Sequence, residues 1–158
     1  MKKSTIEQYE RAVVSILNFD GWDLEWSRND EIYDASGWTP KGVRCVIEMK
    51  FRNKYYETKL LEKKKYDSLM ALPSEVVKLY FVADPKGNYL FWLNNIDMSD
   101  IDGIQNVYAP KTTLWNKSKT NKDVYMLPES LSSITNINEE EKTGVWDKYF
   151  DSRDKNNK

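Results

Sequence analysis

The sequence of 158 residues contains no histidine. This absence excludes the chemistries that depend on an imidazole, which include Ser-His-Asp hydrolysis, zinc hydrolysis at histidine ligands and two-histidine phosphoesterase chemistry. Cys45 is the only cysteine, so an internal disulfide and a cysteine-rich zinc site are excluded as well. Any catalysis must therefore use carboxylates, lysines, hydroxyl groups or a metal ion that prefers oxygen ligands.

The chain also lacks a long hydrophobic run. No apolar stretch approaches ~18 residues, so the sequence predicts no membrane span and no membrane partner. The N-terminal Met1-Lys2-Lys3-Ser4 leads into a helical pattern without the apolar segment of a signal peptide. Together with the single cysteine, these features predict a cytoplasmic protein.

Charge is nearly balanced over the whole chain, at a net −1, but it is unevenly distributed. Residues 20–34 hold six acids and one base, whereas residues 41–65 hold nine bases and three acids. Such a local contrast matters more for the choice of partner than the balanced total. The basic segment is therefore a candidate phosphate-binding surface.

Hydrophobic periodicity predicts seven elements in chain order. They are a helix that ends at 19–21, strands at 22–26, 32–35 and 43–51, a helix over 57–72, and strands at 76–83 and 89–93. The order indicates an α/β protein with one mixed sheet and helices packed on it. We expect a single domain over 1–135, with a core of about 4–93 and an extension over 94–135. The charged segment 136–158 predicts a flexible tail.

The strongest predicted strand, 43–51, carries charges where a core strand is expected to be apolar. Glu48 and Lys50 share one face and lie ~7 Å apart, because side chains two residues apart on a strand point the same way. If the strand at 32–35 pairs with it across the turn at 37–42, Asp34 approaches Glu48. Two converging carboxylates are costly to bury without a cation, and Mg²⁺ or Mn²⁺ prefers such oxygen ligands. The interpretation is a metal site that activates water, with Lys50 orienting the nucleophile or neutralising the phosphate.

Asp34, thirteen residues and then Glu48-Met49-Lys50 resemble the D-x(n)-[DE]-x-K pattern of the PD-(D/E)XK nuclease superfamily. The resemblance implies a restriction-endonuclease-like α-β-β-β-α-β core with a mixed central sheet flanked by helices. It also implies that Asp34 and Glu48 ligate the metal together with the Met49 backbone carbonyl, and that Lys50 is the catalytic lysine. Glu10 would be the first-helix acid that many members add to the metal shell.

The resemblance further implies a Mg²⁺- or Mn²⁺-dependent deoxyribonuclease, with RNA as a possible substrate and a homodimer as a possible assembly. Arg52, Lys63, Lys64 and Tyr66 are the predicted nucleic-acid contacts. The stretch Glu62-Lys63-Lys64-Lys65-Tyr66 resembles the Q-x-x-x-Y element of the exonuclease branch, with Glu62 in place of the Gln. The compact size and the composition rich in Lys and Asn resemble phage or mobile-element proteins.

Other interpretations of the same residues remain open at this point. Glu48 and Lys50 could form an ion pair on a solvated sheet face, as is common in antiparallel sheets. The fold could also serve as a nucleic-acid- or protein-binding module without turnover. A third hypothesis assigns the acidic segments 20–34 and 97–102 to protein interaction or to inhibition by mimicry of nucleic-acid charge.

Overall fold

A computed structural model describes residues 2–27, 32–110 and 118–133. The helices are α1 (Lys3–Phe19) and α2 (Lys63–Met70), and the 3₁₀ helices are Leu93–Asn95, Met98–Asp100 and Glu129–Leu131. The strands are β1 (Asp23–Trp26), β2 (Ala35–Trp38), β3 (Arg44–Phe51), β4 (Thr58–Glu62), β5 (Val77–Asp84), β6 (Gly87–Trp92), β7 (Ile104–Pro110) and β8 (Lys119–Pro128). The predicted tail, 136–158, lies outside the described residues, and the division into core and extension stays a prediction.

The strands form two sheets. The larger one has the order β1-β2-β3-β5-β6, in which β3 and β5 are parallel and the other neighbours antiparallel. The smaller one is antiparallel, with the order β4-β8-β7. The parallel β3–β5 pair requires a crossover, which β4 and α2 provide. The predicted mixed α/β sheet is therefore confirmed, and a second sheet is added to it.

Both faces of the larger sheet are buried, because a different layer covers each one. On one face, α1 packs its apolar side chains against alternate residues of β3 and β5, including Ile47, Met49 and Phe81. On the other face, Val46, Tyr80 and other residues of the sheet pack against apolar side chains from β4, α2 and β8. The strand β3 at the centre is consequently buried at nearly every position. Among the described residues, no helix is both long and apolar enough to cross a bilayer.

The predicted helix over 57–72 is wrong in its first part. Residues Thr58–Glu62 form β4, and only Lys63–Met70 are helical. These residues form a strand because they pair with β8, where Leu61 lies opposite Tyr125. The pairing buries Lys59 and Leu61 on one face. The apolar residues at 60 and 61 fit either periodicity, so the local sequence does not reveal the pairing.

The strand predicted at 32–35 is shifted. β2 runs over Ala35–Trp38, so it takes up the first part of the predicted turn. Gly37 lies inside this strand because the backbone of β1 crosses closely: a Cβ on Gly37 would stand 1.9 Å from the carbonyl oxygen of Asp23. The chain instead reverses after Thr39, whose backbone N–H donates to the Val43 carbonyl.

A buried ion pair joins the two sheets. The Lys59 ammonium on β4 lies 2.7 Å from the Asp84 carboxylate on β5, and the two side chains are 3% and 2% exposed. Lys59 also donates to the Tyr56 backbone carbonyl and lies against the rings of Tyr55 and Tyr89. Since each charge is desolvated, each depends on the other.

We predict that Lys59→Met lowers the free energy of unfolding by ~3–5 kcal/mol, because it leaves the Asp84 carboxylate buried without its cation. Urea denaturation followed by circular dichroism measures this change. Lys63→Met is the matched control, since Lys63 forms a solvent-exposed pair with Asp67 one helical turn away. Equal losses in the two variants would contradict the role given to the buried pair.

Candidate active site

The β2–β3 register brings two carboxylates face to face. Ala35 lies opposite Ile47, so Asp34, one residue before β2, lies opposite Glu48. The backbone N–H of Asp34 donates to the Ile47 carbonyl at 2.9 Å, which extends the ladder to this point. The predicted approach of Asp34 to Glu48 across the turn is therefore confirmed, although the strand bounds differ.

A backbone hydrogen bond fixes the Asp34 side chain. Its Oδ2 accepts from the Met49 N–H at 2.7 Å. The N–H and C=O of a strand residue point to the same side, so the Met49 carbonyl lies on the edge that Asp34 occupies. Burial is the largest influence on Asp34 and raises the pKa of its carboxyl, while the Met49 hydrogen bond and the nearby Lys50 act in the opposite direction.

Glu48 is buried, with 5% of its surface exposed. The interpretation of a solvated ion pair on an open sheet face is therefore wrong, because β4, α2 and β8 cover that face. Burial, followed by the negative charge of Asp34, raises the pKa of Glu48 to about 8. Asp34 therefore lies close enough to Glu48 for the two carboxyls to oppose each other's ionisation.

One oxygen of Glu48 lacks a full partner. Oε2 is buried and accepts no hydrogen bond within the described part of the chain. The Lys65 ammonium, from α2, lies 3.5 Å from it, which is longer than an ordinary N–H···O bond. Lys65 donates instead to the Ile32 backbone carbonyl at 3.1 Å. The oxygen is thus desolvated and only partly compensated by Lys65, which is costly unless a further cation binds it.

Glu10, on α1, approaches the same pair from the other layer. Burial, and then the charge of Asp34, raises the pKa of Glu10 to about 7. The indole N–H of Trp26 donates to Glu10 Oε2 at 2.8 Å and fixes the orientation of the carboxyl. Lys50 is half-buried and lies close enough to act electrostatically on Glu10, Asp34 and Glu48.

The donor set suits a hard divalent cation. Two carboxylates with raised pKa, one unsatisfied carboxylate oxygen and a backbone carbonyl on the same edge are oxygen ligands of the kind that Mg²⁺ and Mn²⁺ prefer. Across the described ranges, no three acidic or cysteine side chains converge closely enough to hold a metal ion by themselves. Glu10 therefore does not complete a three-carboxylate cluster with Asp34 and Glu48, and its role as a ligand stays a prediction.

The predicted nucleic-acid contacts are only partly assembled around this pair. Arg52 follows Lys50 on the same face of β3 and lines a cavity beside it. Lys63 pairs with Asp67, and Lys64 is exposed; both line an open groove between α2 and β8. Tyr66 packs edge to face on Tyr125, with ring centroids 5.2 Å apart, so it is part of the second core.

The structure adds Lys65 and Trp26 to the site, which the sequence interpretation omitted. Within the lysine run, Lys65 is the member that stands four residues before the fully buried Leu69, so it occupies the inward face of α2. Trp26 follows Leu24 on the core-facing side of β1, and a partly buried indole N–H needs an acceptor. The sequence places Lys65 and Trp26 on inward faces, but it does not indicate which side chains they meet there.

We predict that the metal-free protein loses stability as the pH rises from about 4.5 towards about 8. The folded state holds a proton on Glu48 up to a pKa of about 8, whereas the unfolded chain releases it near the ordinary pKa of 4.5. The unfolded state therefore binds fewer protons across this window, and the free energy of unfolding falls with pH. The raised pKa values of Asp34 and Glu10 act in the same direction.

Thermal melting in EDTA at pH 5 and pH 8 measures this dependence. Glu48→Gln, which removes the charge and keeps the shape, is expected to flatten it and to raise the melting temperature at pH 8. Glu75→Gln is the control, since Glu75 is exposed on a turn. A pH dependence that is identical in the wild type and in Glu48→Gln would contradict the burial of an unneutralised carboxylate.

Comparison with known proteins gives a likeness in structure. No protein-family model and no curated protein sequence matches the chain. The fold is similar to the solved structure of Hjc from Archaeoglobus fulgidus, a Holliday junction resolvase from an archaeal hyperthermophile, with a TM-score of 0.50 and 13% identity over 78% of this chain and 84% of that one. The fold expected from the sequence is thus confirmed: the chain has a restriction-endonuclease-like architecture.

Proposed function

We propose that this protein is a metal-dependent nuclease that hydrolyses phosphodiester bonds in DNA. The observation that carries the proposal is the buried Oε2 of Glu48, which accepts no hydrogen bond in the described structure and belongs to a carboxyl that faces Asp34 beside Lys50. A protein gains nothing in stability from burying two carboxyls together. The arrangement is explained if the pair binds a cation that promotes hydrolysis of phosphate esters.

Asp34 and Glu48, with the Met49 carbonyl, are the groups that would hold Mg²⁺ or Mn²⁺. When bound there, such an ion supplies an activated water and a positive charge for the phosphate oxygens. The chain contributes the rigidity of the ligands: the Met49 N–H holds Asp34 in place, and β3 is packed on both faces. Ligands that cannot relax apart keep their affinity for a cation between them.

The cationic side chains around the pair suit a phosphate group. Lys50 is half-buried at the edge of the site and is proposed to orient the attacking water or to neutralise charge on the scissile phosphate. Lys65 lies 3.5 Å from Glu48 and favours its deprotonated form, which is the form that ligates a metal. Trp26 keeps Glu10 turned to the site, where it is proposed to assist as a further acid or base.

The substrate is proposed to be DNA, with branched DNA tested first because the similar Archaeoglobus protein is a Holliday junction resolvase. Phosphate contacts are proposed for Arg52, Lys63 and Lys64, which should make binding strongly dependent on salt. Cutting two strands of a junction requires two sites, so a homodimer is proposed as the active assembly; light scattering of the purified protein tests it. A cytoplasmic location also stays a prediction.

The direct test incubates purified protein with four-way-junction, duplex and single-stranded DNA, and with RNA, in Mg²⁺, in Mn²⁺ or in EDTA. We predict cleavage of DNA that requires the metal and falls by at least ~100-fold in Asp34→Asn and in Lys50→Ala. Asp34→Asn keeps an oxygen that can accept from the Met49 N–H while it removes the ligand charge. The fold is therefore expected to persist, which circular dichroism verifies.

The matched control is Asp23→Asn, since Asp23 is an exposed acid on the edge strand β1. It should cleave as the wild type does. Cleavage that persists unchanged in both Asp34→Asn and Lys50→Ala would overturn the mechanism. Metal-independent DNA binding with no cleavage in any buffer would instead indicate the binding module without turnover.

A further inference from the structure

A cavity lies beside the candidate active site, between the two sheets. Its volume is about 200 Å³. The residues that line it come from the loop after β3 and from β4, β5 and β8; they are Arg52, Lys54, Tyr56, Thr58, Lys59, Leu60, Tyr80, Val82, Asp84 and Met126. Neither Asp34 nor Glu48 is among them, so the cavity is separate from the carboxylate pair.

The strand register places this cavity next to the carboxylates on the same face. Glu48 lies beside Tyr80 and Lys50 beside Val82 in the parallel β3–β5 pair, and both Tyr80 and Val82 line the cavity. Arg52 follows directly after β3, two residues and ~7 Å beyond Lys50. Glu48, Tyr80 and Val82 are buried, whereas Lys50 and Arg52 are half-buried, so a nucleic-acid strand held at Lys50 reaches the cavity within one or two nucleotides by way of Arg52.

The chemistry of the walls combines an apolar floor with a positive rim. Leu60, Val82 and Met126 form apolar surface, and the Tyr80 hydroxyl donates to the Leu60 backbone carbonyl at 2.6 Å. Three of the lining residues are cations and one is a carboxylate, and that carboxylate, Asp84, is already paired with Lys59. Charge complementarity thus favours an anionic ligand that also carries an apolar, flat part.

An aromatic side chain stands at the opening. Tyr56 lines the cavity and is 58% exposed, although an exposed aromatic ring is unfavourable in water. The buried Lys59 donates to the Tyr56 backbone carbonyl, so the backbone that presents the ring is anchored. Lys54 and Arg52 alternate with this ring in the sequence Arg52-Asn53-Lys54-Tyr55-Tyr56. Cations that alternate with exposed aromatics are how proteins track a single strand and stack its bases.

The volume of the cavity is sufficient for the ring of one nucleobase. A cavity of about 150 Å³ admits a benzene-sized molecule, and the cavity here is larger, at about 200 Å³. A duplex cannot enter a space of this size, but a single unstacked base can.

We propose that this cavity binds an unpaired nucleobase of the DNA strand that Lys50 holds at the edge of the candidate active site. Tyr56 stacks on the base, while Arg52 and Lys54 contact the adjoining phosphates. The inference rests on the proposed nuclease function and narrows its substrate class: it selects DNA that offers an unpaired nucleotide beside the cut, as at a branch, a flap or a single-stranded end. A fully paired duplex offers no base for this cavity.

The test compares two single-stranded oligonucleotides with the same number of phosphates, a twelve-residue oligothymidylate and an abasic backbone of equal length. Affinities are measured by competition in EDTA and low salt with the full chain, so neither metal binding nor cleavage enters. The wild type is expected to prefer the oligothymidylate by about tenfold, the value of one stacked base. Tyr56→Ala, which removes the ring, and Thr58→Phe, which fills the cavity, should each reduce this preference to near one.

Tyr108→Ala is the matched control, because Tyr108 is an equally exposed tyrosine on the edge strand β7 of the smaller sheet. Its preference for bases should equal that of the wild type. No binding to either oligonucleotide, no preference in the wild type, or a preference that survives both cavity variants would overturn the proposal. Thermal melts verify that the two cavity variants are folded.

The outcome is separable from that of the nuclease proposal. A base preference that depends on Tyr56, without Asp34-dependent cleavage, would retain the cavity and reject the enzyme. Asp34-dependent cleavage without any base preference would retain the enzyme and reject the cavity as a base-binding site.

Discussion

The burial of Glu48 opposite Asp34 is the constraint on which the rest of the site depends. Two neighbouring carboxyls away from water are costly to ionise together without a cation, so burial and the charge of Asp34 raise the pKa of Glu48 to about 8. The neighbouring groups reduce this penalty only in part: the Met49 N–H bonds to Asp34, and Lys65 stays 3.5 Å from Glu48. The site is thus arranged for a positive charge that the chain itself does not supply in full.

That constraint is sustained by the layers on either side of β3. Met49 and its neighbours on one face pack beneath α1, while Val46 on the other face packs beneath α2 and β8. Because each face of β3 belongs to a core, Glu48 is held away from water. The second layer also creates the cavity beyond Lys50, whose opening carries Arg52 and Tyr56. Lys50, Arg52 and the ring of Tyr56 then follow one another from the edge of the site to the cavity, as a path for one nucleic-acid strand would require.

Local sequence predicts this centre well because its parts lie close together in the chain. The alternation in β3 and the short reversal before it suffice to oppose Asp34 and Glu48, and the Glu-x-Lys spacing suffices to put Lys50 on the same face. Predictions fail where a contact with a residue distant in the sequence determines the local structure. β4 is a strand only because it pairs with β8, and Lys65 belongs to the site only because α2 packs over Glu48. Tyr66 is predicted to contact nucleic acid, but it packs on Tyr125 because α2 lies against β8. The local sequence around each of these residues does not indicate which distant residue it contacts.

The most direct test of the account is the location of a divalent cation by diffraction. A crystal of the protein soaked in Mn²⁺ should show, by anomalous scattering, one ion bonded to carboxylate oxygens of both Asp34 and Glu48 and to the Met49 carbonyl. No ion between Asp34 and Glu48 at saturating Mn²⁺ would contradict the claim that this buried pair is a metal site.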